Sequence, residues 1–297
     1  VIFISGFVLG FMEAPNWGWT SLPIMGLFLL SIISLITFIG WEKKIPHPLV
    51  ELTLFKNLTF TTLFSVLLIV QAVAIVFVFL AIFLQNVLHY SPLMAGLLLL
   101  PAMVPIMLMA PVGGHLRDKY GPTLPMFCGA LLVVLSLIWI AIFSHNRGYA
   151  WLFPGLLVYG IGMPLILSGI MATVMNMVNA QQRGMASAIF NCARQFGNTI
   201  GLALLTGLLA SVNKWQLNSF LHHSPVPLSR LKEQQIDGLL VQSDQAMKAI
   251  AHLSLAHIEL LKTAALNAYT NAFSMTLLAA AILAFLSLFL ILKIPRK

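Results

Sequence analysis

Leu58–Leu84 reads LTFTTLFSVLLIVQAVAIVFVFLAIFL, without an acid or a base. The charge-free run extends from Asn57 to Leu116, long enough for two bilayer crossings of ~20 residues each and a turn. It is apolar throughout, whereas the strands of a membrane barrel alternate over about ten residues, so helices are the spanning structure to expect. Working outward, the stretches 120–146, 148–182 and 263–292 are also uncharged. Complete spans are predicted near 22–41, 58–84, 93–112, 123–143, 151–172, 185–212 and 269–292, preceded by an apolar stub at 1–11. The fold class is an all-α polytopic membrane protein.

Composition agrees. Of the 297 residues, 60% are hydrophobic and 8% charged, and the mean hydropathy is +0.96. Soluble domains carry roughly 25% charged residues, so water-soluble enzymes, nucleic-acid modules and disordered tails are excluded. The net charge of +8 comes from Lys and Arg scattered between apolar runs, which form no basic face for nucleic acid. Cys128 and Cys192 both fall inside apolar runs and supply neither a disulfide framework nor a zinc quartet. The chain opens at Val1 inside an apolar stretch, with no charged n-region, which suggests a protein cut within a helix.

The breaks carry turn chemistry. Residues 13–19 (EAPNWGW) join the stub to the first complete span, with Trp residues suited to an interface. Ser91-Pro92 reads as an N-cap followed by a first helical residue, and Gly121-Pro122 ends a loop in the same way. Lys43, Lys44, Lys56, Arg117, Lys119, Arg183, Lys293, Arg296 and Lys297 fall on one side of the predicted membrane, and Arg147 alone in the short loops of the other. The positive-inside rule places the first side, and the C-terminus, in the cytoplasm. Segment 213–268 is the hydrophilic piece: it is read as an extracytoplasmic excursion with one amphipathic helix marked by Met247, Ile250, Leu255, Ile258 and Leu261.

Two constellations stand out. Gly113 to Gly121 (GGHLRDKYG) is read as a short cytoplasmic loop. Gly114 and Gly121 would permit a tight turn, and Asp118 beside Arg117 and Lys119 is a carboxylate whose pairing can be made in one conformation and broken in another. The bland reading is a polar turn. Asn191, Arg194, Gln195 and Asn198 recur at helical spacing on one face. A central charge in a span costs roughly 2.5–3.5 kcal/mol, so Arg194 should face the bundle interior or a watery cavity, or else snorkel to the boundary. Gln71 is mid-span and suits either a substrate or an interhelical hydrogen bond. Met103 with Met107, and Met171 with Met175, are i,i+4 thioether pairs that suit a cavity for varied apolar molecules as well as plain packing. Gly197 and Gly201 form a small-xxx-small pair for helix contact.

Gly114-x-Leu116-x-Asp118-Lys119-x-Gly121 resembles the G-x-L-x-D-R/K-x-G loop motif of the major facilitator superfamily. Arg183-Gly184-Met185-Ala186-Ser187-Ala188, followed by Asn191-x-x-Arg194-Gln195-x-Gly197-Asn198-Thr199-x-Gly201, is similar to a pattern of its fourteen-helix drug/proton antiporters of the EmrB/QacA type. Asn198-Thr199 stand where that family has Gly-Ser. The resemblance implies the C-terminal part of such a transporter. Residues 1–41 would be its extra helical pair, the first truncated, 42–57 a cytoplasmic linker, and 58–297 the six-helix half. It further implies proton-coupled export of small amphipathic molecules by alternating access in a cell (inner) membrane. The partners would be the lipid bilayer, the small-molecule substrate and protons, the N-terminal half of the same transporter, and a periplasmic adaptor protein. No acidic residue lies deep in a span, so the proton carrier is expected in the N-terminal half. No metal-site, dinucleotide or phosphate-loop motif occurs, and neither cofactor, metal nor catalytic residue is expected. The competing expectations are a same-fold transporter of one specific solute, such as a lipid, siderophore or amino acid, and a non-transporting fragment or assembly subunit.

Overall fold

A computed structural model describes residues 2–42, 44, 52–223 and 255–294. Its helices are α1 (Ile2–Trp17), α2 (Leu22–Glu42), α3 (Leu58–Ala74), α4 (Val76–Asn86), α5 (Pro92–Leu98), α6 (Leu100–Tyr120), α7 (Thr123–Phe143), α8 (Tyr149–Met177), α9 (Arg183–His223) and α10 (Leu255–Leu292). Among the described residues, seven helical stretches are long and apolar enough to cross a membrane, and they overlap the seven complete spans read from sequence. Within hydrocarbon an intrahelical ladder is the economical way to satisfy every backbone N–H and C=O.

Helix ends follow local chemistry. Asn57 caps α3 by accepting from Thr59 N at 3.0 Å, and Ser91 caps α5 by accepting from Met94 N at 3.3 Å, with Pro92 in the first turn. Two spans are interrupted: α3 and α4 meet at Ile75, α5 and α6 at Leu99. Pro101 explains the second, since it lacks the N–H that would bond Leu97 O.

Three expected boundaries are corrected. The 13–17 turn is helical, since α1 runs to Trp17 and Gly18, at φ +89°, closes it. Helix α9 continues eleven residues beyond 212, and α10 begins fourteen before 269. Leu255, Ile258 and Leu261 thus belong to the last span's own helix rather than to a separate amphipathic one; Met247 and Ile250 lie outside the described residues. At ~1.5 Å per residue, α9 and α10 reach about 60 Å, twice the ~30 Å hydrocarbon thickness. Buried Leu217, Leu261 and Ala265 show why the extensions stay helical: they keep apolar contact beyond the bilayer length.

Helix α8 packs on α6 and α7, α10 on α7, α9 and α3, and α3 on α9. Buried Ala265, Ala268, Ala272, Ala280 and Ala284 let α10 lie close to its neighbours. Phe83 stacks on Phe273 at 4.4 Å, and Phe60 meets Phe190 edge-on at 5.3 Å, joining the α3–α4 span to α10 and α9. Helix α1 sits between α2 and α9, with Phe3 stacked on Phe196 at 5.4 Å.

Candidate functional site

On α9 the small residues and the polar residues divide the helix. A Cβ on Gly197 would stand 2.6 Å from the Leu68 carbonyl oxygen, and one on Gly201 2.7 Å from the Ala72 carbonyl carbon. Backbone therefore lies directly on backbone at the α3–α9 contact. Ala186, Phe190 and Ala193 extend this buried side, while Asn191, Arg194 and Gln195 are exposed and Asn198 is half-buried. Arg194 lies about 16 Å along the helix from Arg183. It makes no hydrogen bond or ion pair with any described residue. The stripe thus presents a free guanidinium and two carboxamides away from the packed core.

Gln71 meets this stripe's edge from α3. It is buried beneath Gly197, whose Cβ would be 2.9 Å from that of Gln71. In this conformation Gln71 forms no hydrogen bond among the described residues, neither across helices nor along its own. Met103 and Met107 point outward from α6, whereas Met171 and Met175 are half-buried against the core. Among the described residues, no hydrogen bond or ring contact joins either Met pair to the α9 stripe.

The Gly114–Gly121 segment is a correction to the sequence reading. It is not a loop: α6 remains helical through Tyr120, and only Gly121 and Pro122 separate it from α7. No residue from His115 to Tyr120 opposes a helix, and Arg117 and Lys119 in the last turn suit its C-terminal dipole. Gly121, at φ +76°, then makes the turn. Gly113, rather than Gly114, carries the close approach to α8: its Cβ would lie 2.6 Å from Ser168 Oγ, while Gly114 faces open space. Asp118 accepts from Arg117 Nε at 2.9 Å and Nη2 at 2.6 Å, and Lys119 lies over the Tyr120 ring.

A polar junction at the opposite end of the spans was not grouped in the sequence. His145 Nε2 lies 2.9 Å from Asn271 Oδ1, and Asn271 Nδ2 donates to Gln216 Oε1 at 3.0 Å. Arg147 Nη2 donates to Asn267 Oδ1. The α7–α8 turn, α9 and α10 are thereby tied together. The sequence signal was the i,i+4 pair Asn267 and Asn271, but its partners lie more than fifty and more than a hundred residues away.

The Major Facilitator Superfamily pattern matches residues 1–202. The chain belongs to that superfamily. Membership places it among transporters rather than enzymes, and its helices in a multi-pass membrane protein. Similar proteins include the Multidrug resistance protein Stp of Mycobacterium tuberculosis, 30% identical over 232 residues, which are 77% of this chain and 43% of that protein. The Tetracenomycin C resistance and export protein of Streptomyces glaucescens is 27% identical over 71% of this chain and 40% of its own length. The Multidrug transporter protein MdtP of Bacillus subtilis is 26% identical over 93% of this chain and 54% of its own. The chain spans about half the length of these relatives. A bacterial homolog of the human lysosomal transporter Spinster, in an inward-facing and occupied conformation, shares the fold at a TM-score of 0.57 and 15% identity, over 98% of this chain and 65% of that structure.

Proposed function

We propose that this chain is the C-terminal part of a secondary transporter of the fourteen-helix drug/proton antiporter type, exporting small amphipathic molecules by alternating access. In this reading α3 to α10 are the six spans of one half, and α1 and α2 the additional pair. The half rocks against an N-terminal half around a midplane site. The ends bearing Arg117, Arg183 and the C-terminus face the cytoplasm, and a periplasmic adaptor protein is a partner on the other side. Similarity to multidrug resistance and export proteins supports the substrate class.

The observation that carries the reading is the α9 stripe. An apolar span does not hold a guanidinium without something to receive it. No described residue pairs with Arg194, and its helix turns it away from the packed side, so the N-terminal half, substrate or a watery pathway between the halves is its counterpart. Among the described residues, the carboxylates Glu13, Glu42, Asp118 and Glu259 lie near helix ends, so the proton carrier belongs to the other half.

The test expresses the full open reading frame containing this chain and follows efflux of a phenanthridinium cation, a bisbenzimide and a fluorescein-type anion, with and without a protonophore. Protonophore-sensitive export of more than one dye is expected, abolished by Arg194→Ala at equal membrane abundance. Export of none, or wild-type export by Arg194→Ala, refutes the reading.

A further inference from the structure

The two helix interruptions converge on one point of α8. Phe77, two residues past the break at Ile75, meets the Tyr159 ring edge-on at 4.7 Å. The break at Leu99 is followed by Ala102, whose backbone lies against Gly160 so closely that a Cβ there would strike the Ala102 carbonyl. Counting at ~1.5 Å per residue from the helix ends on the Lys/Arg-poor face, Phe77, Ala102 and Tyr159 all lie about 14–15 Å deep. That is the middle of a ~30 Å hydrocarbon layer.

Each break frees carbonyl groups. At the first, Ile75 N–H turns to Val73 O and Val78 N–H to Ile75 O at 2.9 Å, leaving the Gln71 and Ala74 carbonyls without the donors a continuous helix supplies. At the second, Ala102 N–H bonds Leu99 O at 3.0 Å, freeing the Leu98 carbonyl. That carbonyl is taken by a tyrosine of α8: Tyr149 donates to Leu98 O at 2.8 Å. Tyr159 stands against the first break, yet its hydroxyl has no partner among the described residues, although the side chain is only 2% exposed. A buried hydroxyl left unbonded is destabilising, where phenylalanine would fill the same space without penalty.

We propose that Tyr159 is a positioning residue for alternating access: its hydroxyl, unbonded in this conformation, takes up a carbonyl freed at the α3–α4 interruption in the alternate one. The midplane contact then has two arrangements, with the hydroxyl favouring the state not seen here. The inference rests on the proposed transport cycle, and its test separates the two.

In the full-length protein, Tyr159→Phe is compared with wild type for dye export in proteoliposomes and for melting temperature in detergent. Because the variant disfavours only the alternate state, the maximal export rate should fall about tenfold, the change expected from one net hydrogen bond. The KM should stay unchanged and the melting temperature equal or higher. Unchanged export overturns the proposal, and so does a raised KM at unchanged maximal rate, which would make the hydroxyl a substrate contact. A melting temperature lowered by several degrees also overturns it, since the hydroxyl would then be satisfied already; this arm needs no substrate. Failure of wild type to export any dye refutes the transport reading instead.

Discussion

Gly201→Ala probes the contact that holds the candidate polar face in place. The new Cβ would lie 2.7 Å from the Ala72 carbonyl carbon, whereas non-bonded carbons rest about 3.5–4.0 Å apart. Helices α3 and α9 must therefore separate by about 1 Å, and because the obstacle is backbone no rotamer change relieves it. Between spans, association rests on van der Waals packing rather than water exclusion, so the gap forfeits attraction along the whole contact. Overpacking of this kind costs about 1–3 kcal/mol. With about 2–4 °C per kcal/mol, the melting temperature of the purified protein, followed by tryptophan fluorescence in mild detergent, should fall by about 2–12 °C. Gly197→Ala should behave similarly, its Cβ 2.6 Å from Leu68 O. The double variant should lose less than the sum, since helices already parted by one methyl accommodate the second. Gly26→Ala, where nothing lies within 4 Å, is the control and should not lower stability. Wild-type melting by Gly201→Ala, or an equal drop in the control, would refute the close approach.

The remaining predictions separate function from stability. The Arg117–Asp118 pair is exposed, and exposed pairs contribute about 0.2–1 kcal/mol; Asp118→Asn should keep the melting temperature within about 2 °C while dye export drops at least about tenfold, if the segment couples the two halves. Asn271→Leu removes the bonds to both His145 and Gln216, worth about 1 kcal/mol each, and should lower the melting temperature by about 4–8 °C, more than Asn267→Leu, which removes the Arg147 bond alone.

The seven complete spans were legible because twenty-residue apolar runs have one cheap arrangement in lipid. The Gly197/Gly201 contact was legible from spacing, since only small residues let helix backbones meet. The Gly114–Gly121 segment misled because glycine and charge also describe a turn; its helicity depends on the absence of any breaker between His115 and Tyr120. The reach of α9 and α10 beyond a bilayer's length was hidden because 213–268 is polar overall; among the described residues, Leu217, Leu261, Ala265 and Ala268 face inward along the two extensions.

Sequence alone determined that the chain crosses the membrane repeatedly, which face of α9 carries polar groups, and where small residues permit contact, because these depend on local composition and on the 3.6-residue period. Tertiary structure decided which partner each residue meets. It placed Gln71 beneath Gly197, tied His145 and Arg147 to α10, and brought the two broken spans against the neighbouring residues Tyr159 and Gly160 of α8. Those outcomes join residues tens to more than a hundred positions apart, and such pairings are set by how helices pack rather than by any local pattern.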